Sequence, residues 1–441
     1  MALHRSFRQL SISLTNHLVV SYNSSRAAST LLTNNSNFFS SQKSTLDCTH
    51  QPTTASIALF SNQAIFTMSS STNSNNEALP EGYEKITEGT ITMHYPQIAN
   101  SVFYNPVQVQ NRDLSILMIG MYAERRVERM WTTRKRKEVR RRLMTEQQQQ
   151  QSGVVEGESK AERKARLAKL EDDIETEVEA ARKQVNFTKL AQESAGNNDG
   201  MSIFEALAAS GLRSLRYWKE VPGLRTMVVN DLDPGAIDLA RENVRRNGLE
   251  DALAKEEDDD ANATTTTQKE SNNEQGNIDP LKRYNLRQPG IQLQVGDATH
   301  EMYMSRIPPT LHPSQYNTTQ SKYQMTQYDV IDLDPYGSAA PFLDGALQSI
   351  VSGGLMCITC TDMAALGGSH PETCYGRYGA FPVQRSGYLQ ELALRILLYH
   401  VSVIAGRYGR TIRPVLSVGM AFYCRVFVEV WDDKAGVSML S

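Results

Sequence analysis

"YDVIDLDPYGSAAPF", Tyr328 to Phe342, is the stretch that decides the fold. Tyr328 to Leu333 is a short β-rich run of the kind buried in a sheet. It stops at Asp334-Pro335-Tyr336-Gly337, because proline has no N–H with which to continue a central ladder. "AAPFLDGALQSIV" then has the composition of a helix. The unit reads strand, tight turn, helix, and the same unit recurs on either side. Upstream, "MSIFEALAA" predicts a strand and "SGLRSLRYWKEV" a helix with Ser210 at its N-cap. "RTMVVND" predicts a strand, followed by the helix "DPGAIDLARENVRRNG", with Asp233 as N-cap, Pro234 at the first turn and Gly248 past the end. Its apolar face is Ile237, Ala240 and Val244, and the strand "IQLQVGD" follows. Downstream come the strand "GLMCITCTD", the helix "GYLQELALRILLYHVSVIAG" and two β runs in "RPVLSVGMAFYCRVFVEV", which predict a hairpin. This alternation implies an α/β, Rossmann-like, mainly parallel sheet with a C-terminal antiparallel hairpin.

Three segments lie outside that pattern. The first 67 residues hold Arg5, Arg8, Arg26 and Lys43 among Ser, Thr and Asn, with no acid before Asp47. This is the composition of a transit peptide or a disordered tail, and it points to the mitochondrion, with plastid and nucleus as alternatives. Residues 144–200, a Gln-rich start, a charged helical stretch and "SAGNNDG", and residues 250–289, acidic and Thr- and Asn-rich, read as low-complexity insertions in a domain spanning 81–430. The 441 residues carry a net charge of −3, so nucleic-acid binding must come from local patches. Five cysteines fit a reducing compartment. No stretch reads as a transmembrane span, and no structural metal is expected. Cys357 and Cys360 share a strand, where three-residue spacing sends side chains to opposite faces.

In a doubly wound sheet, ligands sit beyond the carboxyl ends of the strands. The predicted strands end in Glu205, Asp231, Asp297 and Asp334. One such Asp is also an ordinary helix cap; four in order point to one crevice. The turn "EALAASGLRSLR" lacks the G-x-G-x-x-G pattern that cradles a pyrophosphate. A nucleoside without phosphate fits better, with Asp231 on the ribose and Gly296-Asp297-Ala298 beside the adenine. S-adenosylmethionine meets that description. Asp334-Pro335-Tyr336 resembles the (Asp/Asn)-Pro-(Pro/any)-aromatic loop of methyltransferases that act on exocyclic amines, against the plainer reading of a turn with a satisfied Asp and a core Tyr. An aryl amine is a poor nucleophile because its lone pair is delocalised. A fixed carboxylate accepts the N–H, localises the lone pair and takes a proton, while an aromatic ring stacks the base.

With those residues in view, the sequence resembles the tRNA (guanine(26)-N(2))-dimethyltransferase family, class I enzymes dependent on S-adenosylmethionine. The resemblance rests on "VFYNPVQVQNRDLSI", "EALAASGLRSLRYWKEVPG", "VVNDLDPGAIDLARENVRRNG", "GDA", "DVIDLDPYGSAAPFLDGAL" and "GGLMCITCTDMAALGGSHPETCYGRYG", in that order. It implies cofactor contacts from Arg112, Arg213, Asp231, Asp297 and Ala298. It implies Asp334 as the catalytic residue, and Phe103 and Tyr336 as the residues that hold the guanine. It also implies tRNA as partner and a further tRNA-gripping domain after "VFVEV", for which "WDDKAGVSMLS" leaves no room. Two readings therefore compete with an active enzyme: a catalytically silent tRNA- or cofactor-binding product, and methylation of another amine. The basic runs "RMWTTRKRKEVRRRLM" and "RYGRTIRP" are the candidate phosphate contacts, against the plainer reading of solvated charge.

Overall fold

The computed structural model describes residues 18–21, 82–96, 104–150, 159–196, 199–254, 288–306, 327–420 and 422–439. Phe103, the insertion residues 255–287 and all of 1–67 except 18–21 lie outside the described residues. In chain order the elements are β1 (Leu18–Ser21), β2 (Tyr83–Glu88), β3 (Ile91–Pro96), α1 (Val109–Gln150), α2 (Lys160–Arg182), α3 (Phe187–Ser194), β4 (Met201–Glu205), α4 (Leu212–Glu220) and β5 (Leu224–Asp231). There follow α5 (Pro234–Arg246), β6 (Gly290–Val295), α6 (Ala298–Met304), β7 (Tyr328–Leu333), α7 (Ala340–Ser349) and β8 (Ile350–Cys360). The chain ends with α8 (Met363–Leu366), α9 (Pro371–Tyr378), α10 (Leu389–Arg407), β9 (Arg410–Gly419), β10 (Cys424–Asp432) and α11 (Lys434–Ser438).

One sheet runs β1-β9-β10-β8-β7-β4-β5-β6. The run from β8 to β6 is parallel, and β10 lies antiparallel between β8 and β9, as the sequence predicts. Strand order reverses between β4 and β7, so the crevice at their carboxyl ends is the topological switch point. β7 is buried at every residue, as a central parallel strand must be. One core packs α7 and α10 on one face of the sheet; the other packs α1, α4, α5 and the β2–β3 hairpin on the opposite face. Cys357 and Cys360 fall in these two different cores.

Several details differ from expectation. The N-cap of α4 is Gly211 at φ 77°, not Ser210, whose hydroxyl shares a 2.9 Å hydrogen bond with Tyr95. A Cβ at Gly211 would sit 3.0 Å from that of Ala240, so the turn backs closely onto α5. Within 144–200, the charged helical stretch forms two helices, Lys160–Arg182 and Phe187–Ser194, and the first packs on α1 rather than standing as a loose insertion. Leu170, Ile174 and Val178 recur at helical spacing and bury against Val139, Trp131 and Leu143 of α1. The basic run on α1 is largely paired with acids. Arg134 meets Asp199 at 2.5 Å, and Arg136, Arg140 and Arg142 meet Glu175, Glu171 and Glu177 of α2. Finally, α10 is long and apolar enough to cross a membrane. It packs instead as a core helix, burying Leu394, Leu397, Val401 and Ala405 against the sheet.

Candidate active site

Three strand ends converge on the crevice. Asp231 closes β5, and each of its carboxylate oxygens accepts one backbone N–H: Ala209 at 2.8 Å and Asp233 at 3.0 Å. Each oxygen keeps a second lone pair for a hydroxyl donor. Ala209 itself adopts φ 48°, so the small-residue turn is held in a conformation rare for non-glycine residues. Leu232, the next residue, is 71% exposed, an apolar side chain turned to solvent beside the carboxylate. Asn230 braces the turn from below, donating to Ala206 O and Gly296 O at 3.0 Å each. Asp297 caps α6 by accepting from His300 N at 2.8 Å, and Ala298 is buried behind it. A hydroxyl acceptor, an exposed apolar face and a small-residue turn together fit a nucleoside without phosphate.

Asp334 follows β7, and the Arg213 guanidinium of α4 bonds its Oδ2. Tyr336 is 85% exposed. Partial burial and the nearby Asp334 and Asp231 carboxylates push its phenol above the ordinary value, which puts both strand ends within electrostatic reach of the ring. The loop is rigid behind that face. Gly337, at φ 83°, donates to Thr361 Oγ1 at 2.7 Å and accepts from Thr361 N at 2.8 Å. Ser338 Oγ lies 2.6 Å from Tyr378 OH, which also donates to Asp362 at 2.9 Å. The arrangement presents a carboxylate and a bare aromatic face side by side.

The family model described as N2,N2-dimethylguanosine tRNA methyltransferase matches residues 82–282 and 310–440. The chain belongs to this family. A tRNA (guanine(26)-N(2))-dimethyltransferase of Mus musculus is 35% identical over 357 residues, covering 80% of this chain and 42% of that protein. A mitochondrial tRNA (guanine(26)-N(2))-dimethyltransferase of Saccharomyces cerevisiae is 30% identical, covering 79% and 48% respectively. The chain thus spans about half the length of the curated relatives it matches. Trm1 from Pyrococcus horikoshii, solved with S-adenosyl-L-methionine, is similar at 20% identity and a TM-score of 0.48, over 81% of this chain and 64% of that one.

The dimethyltransferase family resemblance assigns Arg112 and Arg213 to the cofactor, yet both guanidinium groups are engaged with protein carboxylates here. Arg112 forms a two-pronged bond to Glu88 at 2.5 and 2.6 Å, and Glu88 also takes Arg216 at 2.6 Å. That pair fastens the β2–β3 hairpin to α1 and α4. Arg213 reaches Ser115 at 3.2 Å, Asp332 at 3.6 Å and Glu205 at 3.7 Å as well as Asp334. The structure joins Arg213 to Asp334, two residues before the exposed Tyr336, and holds Arg112 on Glu88 instead.

Two residues that sequence reading missed complete the floor of the site. Asp332 and Arg425 are fully buried and joined by bonds of 2.8 and 3.0 Å. Tyr217 OH donates to Asp332 at 2.5 Å, and Arg425 adds Thr359 and Ser115 at 2.8 Å each. Burial pushes the Asp332 carboxyl up, but Arg425, Arg213 and Tyr217 outweigh it and hold it below the ordinary value. Glu205, expected to line the crevice, is instead buried beneath it and bonded to Ser214. There burial wins: Arg213 and Ser214 pull its carboxyl down, Asp332 and Asp334 push it up, and it reaches about 8.

A raised carboxyl makes the native state hold a proton that the unfolded chain has released. Stability from this group is full below the unfolded value of 4.5 and drains away as pH rises toward about 8. Glu205→Gln removes that loss while keeping a partner for Ser214. Its melting temperature is expected to exceed wild type at pH 8 and to approach it near pH 5. A gap that does not grow with pH in thermal melts would contradict the protonated Glu205.

Proposed function

We propose that the chain transfers methyl groups from S-adenosylmethionine to the exocyclic N2 of guanine 26 in tRNA, giving N2,N2-dimethylguanine. The observation that carries this reading is the Asp334 carboxylate held by Arg213 beside the exposed Tyr336 ring, with only β4 between its strand and that of Asp231. Asp231 accepts from the ribose hydroxyls, Leu232 covers one face of the adenine, and Asp297 and Ala298 line its edge. S-adenosylmethionine supplies an electrophilic methyl group when bound. Tyr336, with Phe103 as its partner, stacks the extruded guanine. Arg213 keeps Oδ2 of Asp334 occupied, so Oδ1 accepts the amine N–H and then its proton as the N–C bond forms. A second turnover repeats the step on the monomethylated amine.

Family membership and the strand-end chemistry support an enzyme over a silent binding protein, since the acceptor, the ring and the nucleoside pocket all persist in one crevice. The test is transfer of labelled methyl groups to unmodified tRNA, with the modified nucleotide mapped. Label at guanine 26 is expected; tRNA binding without label would overturn the reading. The acid-free basic segment before Asp47 and the name of the yeast relative support mitochondrial import, which a fluorescent fusion tests by its compartment.

A further inference from the structure

An exposed aromatic surface stands beside the Asp334–Ser338 loop. Tyr375 of α9 and Phe381 beyond it are 55% and 65% exposed, and their rings stack with centroids 4.6 Å apart and planes 12° from parallel. Gly379, at φ 67°, ends α9 in the left-handed conformation and turns the chain back, which brings Phe381 against Tyr375. The segment that follows is held in shape. Pro382 is buried between exposed Phe381 and Val383. A Cβ on Gly368 would sit 3.1 Å from Gln384 Cα, so the backbone of the loop rests on that turn. Arg385 adopts φ 53°, a conformation that costs a non-glycine residue energy, and its side chain is exposed together with Tyr388. A well-anchored segment that directs three aromatic side chains to solvent marks an interaction surface rather than a loose loop.

We propose that residues 375–388 dock unpaired nucleotides of the RNA that flank the base presented to Asp334. The proposal rests on the tRNA methyltransferase reading above. The chemistry selects the partner. A stacked aromatic pair leaves its outer ring faces open, and any base has a π-face to lay on them. Arg385, exposed on the same segment, adds a guanidinium for a phosphate between those bases, whereas Arg377 is taken up by Asp362 at 2.9 Å. Position selects it too. Tyr378 lies one helical turn after Tyr375, and its hydroxyl is 2.6 Å from Ser338 Oγ, two residues after Tyr336. A strand whose base has been extruded onto Tyr336 must have unstacked neighbours, and this platform adjoins that site through Tyr378.

The experiment measures binding of fluorescent, unmodified tRNA to the full chain across a salt series. Tyr375→Ala and Phe381→Ala are expected each to weaken binding by about tenfold, the effect of one lost base stack. The slope of log affinity against log salt stays as in wild type, and so does S-adenosylmethionine affinity. Phe381→Trp restores binding. Arg385→Ala flattens the salt slope by about 0.7–0.9, one phosphate contact. Wild-type and alanine variants that bind alike overturn this surface and leave the activity reading standing. A loss in Phe381→Ala that tryptophan does not restore means the face reads shape, as a protein partner would, and also overturns it. No tRNA binding by any form overturns both readings.

Discussion

Asp334→Ala is expected to lower the rate of methyl transfer to tRNA by about 10²–10⁴-fold, the span for a lost general base, while S-adenosylmethionine still binds. The cofactor-side groups lie on other strands: Asp231 on β5, Asp297 after β6. The variant also leaves the site standing, because Arg213 keeps Ser115, Asp332 and Glu205 as partners when Asp334 is removed. Asp334→Asn divides the effect. Asparagine still offers a carbonyl to Arg213 and to the amine, so it orients the base, but it cannot take the proton. Asn and Ala variants equally slow would place the whole effect in proton acceptance; an Asn variant of intermediate rate would divide it between orientation and basicity. Single-turnover assays at saturating tRNA, with calorimetry for the cofactor, separate these. Wild-type turnover in Asp334→Ala would sink the mechanism.

The strand–helix order was readable because each unit carries its own punctuation. Asp233-Pro234 opens α5, and Pro335 cannot continue β7. Strand ends were readable for the same reason, and Asp231 and Asp334 end strands on either side of β4. Side-chain direction was not. Glu205 closes β4 as expected but points into the floor, since the residue that ends a strand falls on a face set by register, and register depends on neighbours far away in the chain. The charged helical stretch within 144–200 was readable, but its docking on α1 was not, because only Leu170, Ile174 and Val178 bury and its acids are set against the arginines of α1. The same pairing shows why the basic run looked like a phosphate site when read alone. Exposed ion pairs add little stability, but they do take up those charges locally. Asp332 left a signal that went unread. It stands two residues before Asp334, hence on the same face of β7, in a strand with no other route to solvent. A buried carboxylate needs a cation, and Arg425 is the lone cation in the apolar run "YCRVFVEV".

That demand yields the second large effect. Arg425→Met is expected to destabilise the fold by about 3–5 kcal/mol, the cost of leaving a buried charge without its partner. Asp332 would keep only Tyr217 and the more distant Arg213, at 3.6 Å. Arg213 would then be drawn toward Asp332 and away from Asp334. Activity therefore falls along with stability, and the single variant does not separate the two. Asp332→Asn/Arg425→Met does. Removing both charges relieves the desolvation penalty, since neutral, well-packed replacements of buried pairs are often tolerated. Its urea midpoint is expected to recover most of the loss. Arg213 would then have Asp334 as its nearest carboxylate, and methyl transfer is expected to return with the fold. Recovery of stability without activity would show that the Asp332–Arg425 pair aims Arg213 as well as filling the core. A single variant as stable as wild type would mean that the two side chains are not paired as the geometry has them.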